Sequence, residues 1–229
     1  MKGIFITIEG PDGAGKTSVI KKLIPMLVQE VQQDIVATRE PGGSRIAEEI
    51  RELILNPTNT EMDIRTEALL YAAGRRQHLV EKIIPALKAG KIVICDRFVD
   101  SSLAYQGVAR GIGISEVAEI NQFATENLSP DLTLYLDIEA HAGLERINQN
   151  KNNRQFDRLD QETLEFHEKV RSAYLTIAKE QSERIVQIDA SQDLETVVEK
   201  CYQVIIKKTK NINKERRMCD EVNISDSSR

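Results

Sequence analysis

The chain has 229 residues, 41% hydrophobic and 29% charged, which suits one well-buried globular domain. Its net charge of −5 gives no reason to invoke nucleic acid, and no apolar run approaches the roughly 18 residues a membrane span needs. Cys95, Cys201 and Cys219 lie far apart, in no metal-ligand or C-x-x-C spacing; with no leader ahead of the first strand, the expected setting is a reducing cytoplasm.

The first predicted strand covers 4–8, and behind it Gly10-Pro11-Asp12-Gly13-Ala14-Gly15-Lys16-Thr17 matches the phosphate-binding pattern G-x-x-x-x-G-K-[ST]. Val19, Ile20, Leu23, Ile24 and Leu27 then predict a helix over 16–31, kinked at Pro25. A loop that leaves a strand and opens a helix turns its N–H groups inward, and the helix start adds partial positive charge. Gly10 to Ser18 are therefore expected to cradle a nucleoside triphosphate, with Lys16 on the β/γ-phosphates and Thr17 on Mg²⁺.

A second strand at 34–38 leads into Arg39-Glu40-Pro41-Gly42-Gly43, either a charged loop facing the crevice or a surface turn. Helices follow over 44–55, carrying Arg51, and over 63–90, kinked at Pro85. On the latter, Tyr71 and Arg75 are four residues apart, a pairing that suits either a nucleobase or a solvated helix face. A third strand at 91–95, in which Cys95 reads as a small buried residue, ends in Asp96-Arg97-Phe98, where ligands collect in open α/β sheets. Asp96 suits Mg²⁺ or its water shell and Arg97 suits a phosphate. Ser102, Tyr105 and Gln106 follow in a polar loop or short helix.

The remaining pattern is a helix at 115–127, a strand at 132–137, helices at 139–150 and 160–181, a strand at 184–189 and a helix at 192–208. Strand and helix in regular alternation predict a doubly wound, five-stranded parallel sheet with helices on both faces, of the P-loop NTPase type. The stretch 148–160, rich in Asn, Gln, Lys and Arg, is expected to be a mobile lid bringing Arg154 and Arg158 to the site, or else an ordinary interhelical loop. His78, His141 and His167 have no ligand partners at metal spacing and read as structural or surface residues. Residues 1–208 are read as the domain and 209–229 as a polar, disordered tail. No N-K-x-D pattern for guanine accompanies the phosphate loop, which weighs against a switch GTPase.

Taken in order, Glu9–Thr17, Thr38–Gly43, Arg65–His78, Cys95–Gly111 and Arg158–His167 resemble the thymidylate kinases over about residues 3 to 208. The resemblance implies phosphorylation of dTMP to dTDP by ATP and Mg²⁺, in a homodimer. It puts Asp12 on the sugar 3′-hydroxyl, and Arg97, Arg39 and Arg51 on the acceptor phosphate. Asp96, with Glu40, falls in the metal and phosphate network. Tyr71 matches the position that stacks on the base, where the family usually has Phe. Arg75 matches the donor to O4, Ser102 and Gln106 further base contacts, and Tyr105 the aromatic that crowds the ribose 2′ position. Arg154 and Arg158 match the lid arginines, and with Gly13 where some members carry arginine, more falls on that pair. Lys16, Arg97, Arg154, Arg158 and Asp12 are thereby the catalytic group. Another nucleoside monophosphate kinase of the same fold is the alternative.

Overall fold

The run Ile4-Phe5-Ile6-Thr7-Ile8 takes the centre of a sheet because both of its faces are apolar enough to be covered. In the computed structural model, which describes residues 3–149 and 158–226, five parallel strands stand in the order β2-β3-β1-β4-β5. They are β1 (Ile4–Glu9), β2 (Ile35–Arg39), β3 (Ile92–Asp96), β4 (Leu132–Asp137) and β5 (Ile185–Asp189), each within a residue of its predicted bounds. Ile6 of β1 lies opposite Ile94 of β3 on one side and Leu132 of β4 on the other. The helices are α1 (Lys16–Glu30), α2 (Arg45–Leu55), α3 (Ile64–His78), α4 (Ile84–Lys88), α5 (Val99–Ser102), α6 (Ile114–Thr125), α7 (Ala140–Gln149), α8 (Leu164–Glu180) and α9 (Leu194–Asp226).

Side chains alternate across a strand. Ile4, Ile6 and Ile8 therefore pack with Val19, Leu23 and Leu27 of α1 and Val197, Val198, Cys201 and Ile205 of α9. Phe5 packs on the other face with Leu79, Ile83, Leu87, Val93, Cys95 and Phe98. Thr7 and Glu9 share Phe5's side of the strand. Both are fully buried, and Thr7 Oγ1 meets Thr133 Oγ1 at 2.7 Å. Chain connections leave β1 and β3 toward opposite edges of the sheet, which opens a crevice at their carboxyl ends.

Pro25 lies inside α1, which runs through it without a break. Two predicted elements differ in detail. The single helix expected over 63–90 is α3, a π-helical turn at Leu79–Ile83, then α4. The wider turn comes just ahead of Pro85, so the missing N–H falls in the first turn of α4, where no intrahelical partner exists. The stretch after Phe98, expected as a polar loop or short helix, is α5 continued by a π-helical segment, Leu103–Ala109.

The expected boundary at 208 also moves. α9 runs on past it to Asp226, and as far as residue 212 Ile205, Thr209 and Ile212 keep a helical spacing toward the core. Thr209 is buried, Ile212 packs on the core cluster and Asn213 accepts a hydrogen bond from Gln33 at 3.3 Å.

Asp100 of α5 is buried and forked by Arg184, at 2.6 and 2.8 Å, which ties α5 to the start of β5. Arg184→Ala leaves that carboxylate without its ion pair, so urea unfolding is expected to show a loss of about 3 kcal/mol. A loss below about 1 kcal/mol would mean the pair does not hold α5.

Candidate active site

Between β1 and α1 the chain makes a tight loop. Gly15, at φ +86°, caps α1 in the left-handed region that glycine reaches without strain. Lys16 is drawn back under the loop: its Nζ donates to the carbonyls of Gly10 and Pro11 at 3.0 and 2.9 Å. Burial, and then the Arg97 charge, bring its pKa down to about 8. Beside it the exposed Thr17 hydroxyl donates to an Asp96 carboxylate oxygen at 3.0 Å. With its proton committed to Asp96, Thr17 keeps lone pairs for a hard cation, and the two residues supply the oxygen donors Mg²⁺ prefers.

On the inner side of the loop lies a cleft of about 590 Å³, mouth included, bounded by Asp12, Glu40, Arg51, Tyr71, Arg75, Arg97, Ser102, Tyr105 and Gln106. Arg97 follows β3 directly with φ +70°, a left-handed backbone unusual outside glycine, and this turns its guanidinium toward the loop. The guanidinium donates to Asp12 at 2.6 Å, to the Tyr105 hydroxyl at 3.1 Å and to the Gly10 carbonyl at 3.0 Å. Tyr105 in turn donates to the other Asp12 oxygen at 2.8 Å. Burial would raise the Asp12 carboxyl, but Arg97, Lys16 and Tyr105 hold it down at about 2.

Arg75 is 2% exposed, and four of its five N–H groups have acceptors: Glu40 (2.7 Å), Ser102 (3.1 Å), Asn121 and the Phe98 carbonyl (2.9 Å). Gln106 donates its amide to Glu67 at 2.8 Å, which leaves its carbonyl oxygen as an acceptor at the cleft wall. Tyr71, half-buried, stands on the same face of α3 as Arg75, and burial raises its hydroxyl pKa. Arg51 donates to the Pro41 carbonyl at 2.9 Å.

Some expected residues fall elsewhere. Arg39 does not border the cleft; Glu48, at the start of α2, draws it into a half-exposed ion pair at 2.8 Å. Glu40, expected in the metal network, gives its two oxygens to Arg75 and to His78 Nδ1 (3.0 Å), because a carboxylate this buried needs cationic and N–H partners. Arg158, expected on the transferred phosphate, is buried in a short 3₁₀ turn, Arg158–Gln161, paired with Glu67 and donating to the Ile54 carbonyl at 3.0 Å. Arg154 lies outside the described residues. Ser18, with Gly13, Ala14 and Gly15, borders a second cleft on the outer side of the loop, together with Arg146, Gln192 and Asp193.

Four contributors were not anticipated. Glu9 is fully buried under the loop, and Glu67 of α3 gathers Gln106, Arg110 and Arg158. Burial would raise the Glu67 pKa, but those arginines keep it low. Arg146 donates to the Ala190 carbonyl at 2.9 Å at the edge of the outer cleft. Gly143 of α7 lies against the phosphate loop: a Cβ there would meet the Asp12 carbonyl at 2.6 Å, and one on Gly13 would strike Gly143. A glycine inside a helical pattern was the only sequence signal for that approach.

Comparison with known proteins gives a consistent picture. The family described as thymidylate kinase matches residues 8–201. The chain is 62% identical over 208 residues to the thymidylate kinase of Enterococcus faecalis, covering 91% of this chain and 98% of that one. It is 64% identical over 197 residues to the thymidylate kinase of a Geobacillus species, covering 86% and 93%. The crystal structure of thymidylate kinase from Ehrlichia chaffeensis is similar with a TM-score of 0.71 at 33% identity, covering 89% of this chain and 98% of that chain.

Gly143→Ala is expected to push the phosphate loop off α7. ATP-dependent turnover should fall about tenfold or more, the scale expected when reacting groups shift by a fraction of an ångström. Steady-state kinetics that match wild type would show that the loop does not depend on this approach.

Proposed function

Because the chain belongs to the thymidylate kinase family, which phosphorylates dTMP to dTDP with ATP, we propose that the inner cleft takes dTMP and the outer cleft ATP. The observation that carries this reading is the meeting of Asp12, Arg97 and Tyr105 at the edge of the phosphate loop, with Tyr71, Arg75 and Gln106 on the cleft's far wall.

The residues then take these roles. Lys16 and the loop amides bind the β/γ-phosphates. Arg97, with Arg51, grips the acceptor phosphate, and Asp12 accepts from the 3′-hydroxyl. Tyr105 closes against C2′. Tyr71 stacks on thymine, Arg75 offers its remaining N–H to O4, and the carbonyl oxygen of Gln106 accepts from N3–H. Ser102 buttresses Arg75. Thr17 and Asp96 hold Mg²⁺, which when bound neutralises charge across the β- and γ-phosphates. The acceptor oxygen is already ionised near neutral pH, so positioning and charge neutralisation carry the chemistry and no general base is required. Leu159 at the cleft edge supports a closing role for the segment that carries Arg158, with Arg154 assigned to the transferred phosphate by resemblance.

The cytoplasm suits the reaction, and no described helix is long and apolar enough to cross a membrane. The homodimer implied by resemblance is assigned to α3 and α6, which are joined by Arg76, donating to the Ala124 carbonyl and paired with Glu126. There Leu69 is 55% and Phe123 90% exposed, apolar surface that a second copy would cover.

Two measurements test this. With ATP and Mg²⁺, ADP release should be strongest with dTMP among dTMP, dUMP, dCMP, dGMP and dAMP, and Arg75→Ala should lose about tenfold or more of the preference for dTMP over dCMP. Unchanged selectivity would remove Arg75 from the base. Phe123→Glu should turn a dimer into a monomer in sedimentation velocity; an unchanged sedimentation coefficient would move the interface elsewhere.

A further inference from the structure

The fully buried carboxylate of Glu9 is not used by the reading above, yet it lies one step behind Arg97. Its Oε1 accepts the Phe98 N–H at 2.6 Å, fixing the backbone directly after the left-handed Arg97. Its Oε2 accepts from the Ser101 and Tyr174 hydroxyls, at 2.5 and 2.8 Å. Those two oxygens are also what Arg97 Nη1 donates to, at 3.2 and 3.3 Å. The order matters: a hydroxyl that gives its proton to Glu9 must turn a lone pair to the guanidinium, whereas one that keeps it can turn it to the other hydroxyl, 2.8 Å away, or toward the cation.

We propose that Glu9 is a positioning residue for phosphoryl transfer, whose carboxylate orients Ser101 and Tyr174 so that both accept from Arg97 and aim it at the acceptor phosphate. This rests on the reading that Arg97 grips that phosphate. Burial, reinforced by the nearby Asp100 charge, lifts the Glu9 carboxyl to about 7, against the pull of Ser101, Arg97 and Tyr174. Lys16 of α1, Arg184 ahead of β5 and the Cys95 thiol of β3 also feel its charge. Protonated Glu9 donates to one hydroxyl and reverses it, so alignment improves as pH rises through 7. The sign is opposite for stability: ionising a carboxyl whose folded pKa is raised costs stability between the unfolded value and 7. A neutral replacement should therefore melt no lower than wild type at pH 8.

The test measures kcat, KM for each nucleotide and melting temperature of the full chain across pH 6 to 9. Glu9→Gln should lose about tenfold in kcat/KM for dTMP at pH 8, the effect of reversing a hydrogen bond to a charged group, with KM for ATP unchanged. The phosphate of dTMP titrates in both proteins, so the difference between their profiles isolates Glu9. Wild type should show a rise near pH 7 that Glu9→Gln lacks. Ser101→Ala with Tyr174→Phe, which cuts the link while keeping Glu9, should give the same loss and carries the test alone if Glu9→Gln does not fold. Wild-type kcat/KM in either folded protein, or a loss in the Ser101→Ala, Tyr174→Phe variant that its folded fraction accounts for, overturns the proposal. If Arg97→Ala is crippled in that case, the acceptor-phosphate reading stands without Glu9. If Arg97→Ala also matches wild type, that reading fails and the proposal with it.

Discussion

A parallel strand covered on both faces has no solvated side for a polar residue, and β1 ends in one. Thr7 answers this with a hydroxyl partner on the next strand, and Glu9 with an N–H and two hydroxyls drawn from β3's exit, α5 and α8. Satisfying Glu9 thus pulls three elements to the carboxyl end of β1, where the phosphate loop begins. The site is built around that requirement as much as around the glycines of the loop.

The same requirement recurs in the cleft and behind its wall. Arg97 is paired with Asp12, Arg75 with Glu40 and Arg158 with Glu67. Each pair keeps a buried or half-buried cation compensated, so on the proposed reading an incoming phosphate or base competes with carboxylates already in place rather than meeting bare charge. That competition tempers affinity and favours ligands whose anionic groups fit the geometry closely. It also explains why arginines expected from resemblance to point at substrate are found bonded to the chain itself.

How much of this was legible in the sequence depends on how far apart the cooperating residues are. The phosphate loop is a local pattern, strand and helix flanks included, and apolar runs fixed the five strands to within a residue. Asp12, Tyr71, Arg75, Arg97, Ser102, Tyr105 and Gln106, to which the resemblance gave substrate roles, border one cleft. What escaped were relations between distant segments. Nothing local marks Glu67 as the partner of residues 106, 110 and 158, or Glu48 as the residue that takes Arg39 from the crevice. Compositional reading ended the domain at 208 on charge, whereas Thr209 and Ile212 still had a core to pack on. The π-helical turns were hidden because apolar spacing alone does not register one extra residue per turn.

Glu67, Tyr71 and Arg75 follow one another at four-residue steps along a single stripe of α3. Eight residues of helix span about 12 Å and bend very little over that distance. The wall proposed to read the base and the anchor that holds the 158 turn are therefore two ends of one stiff rod. A displacement at one end is thus carried to the other, so whatever seats itself against Tyr71 also bears on where the 158 turn is fastened.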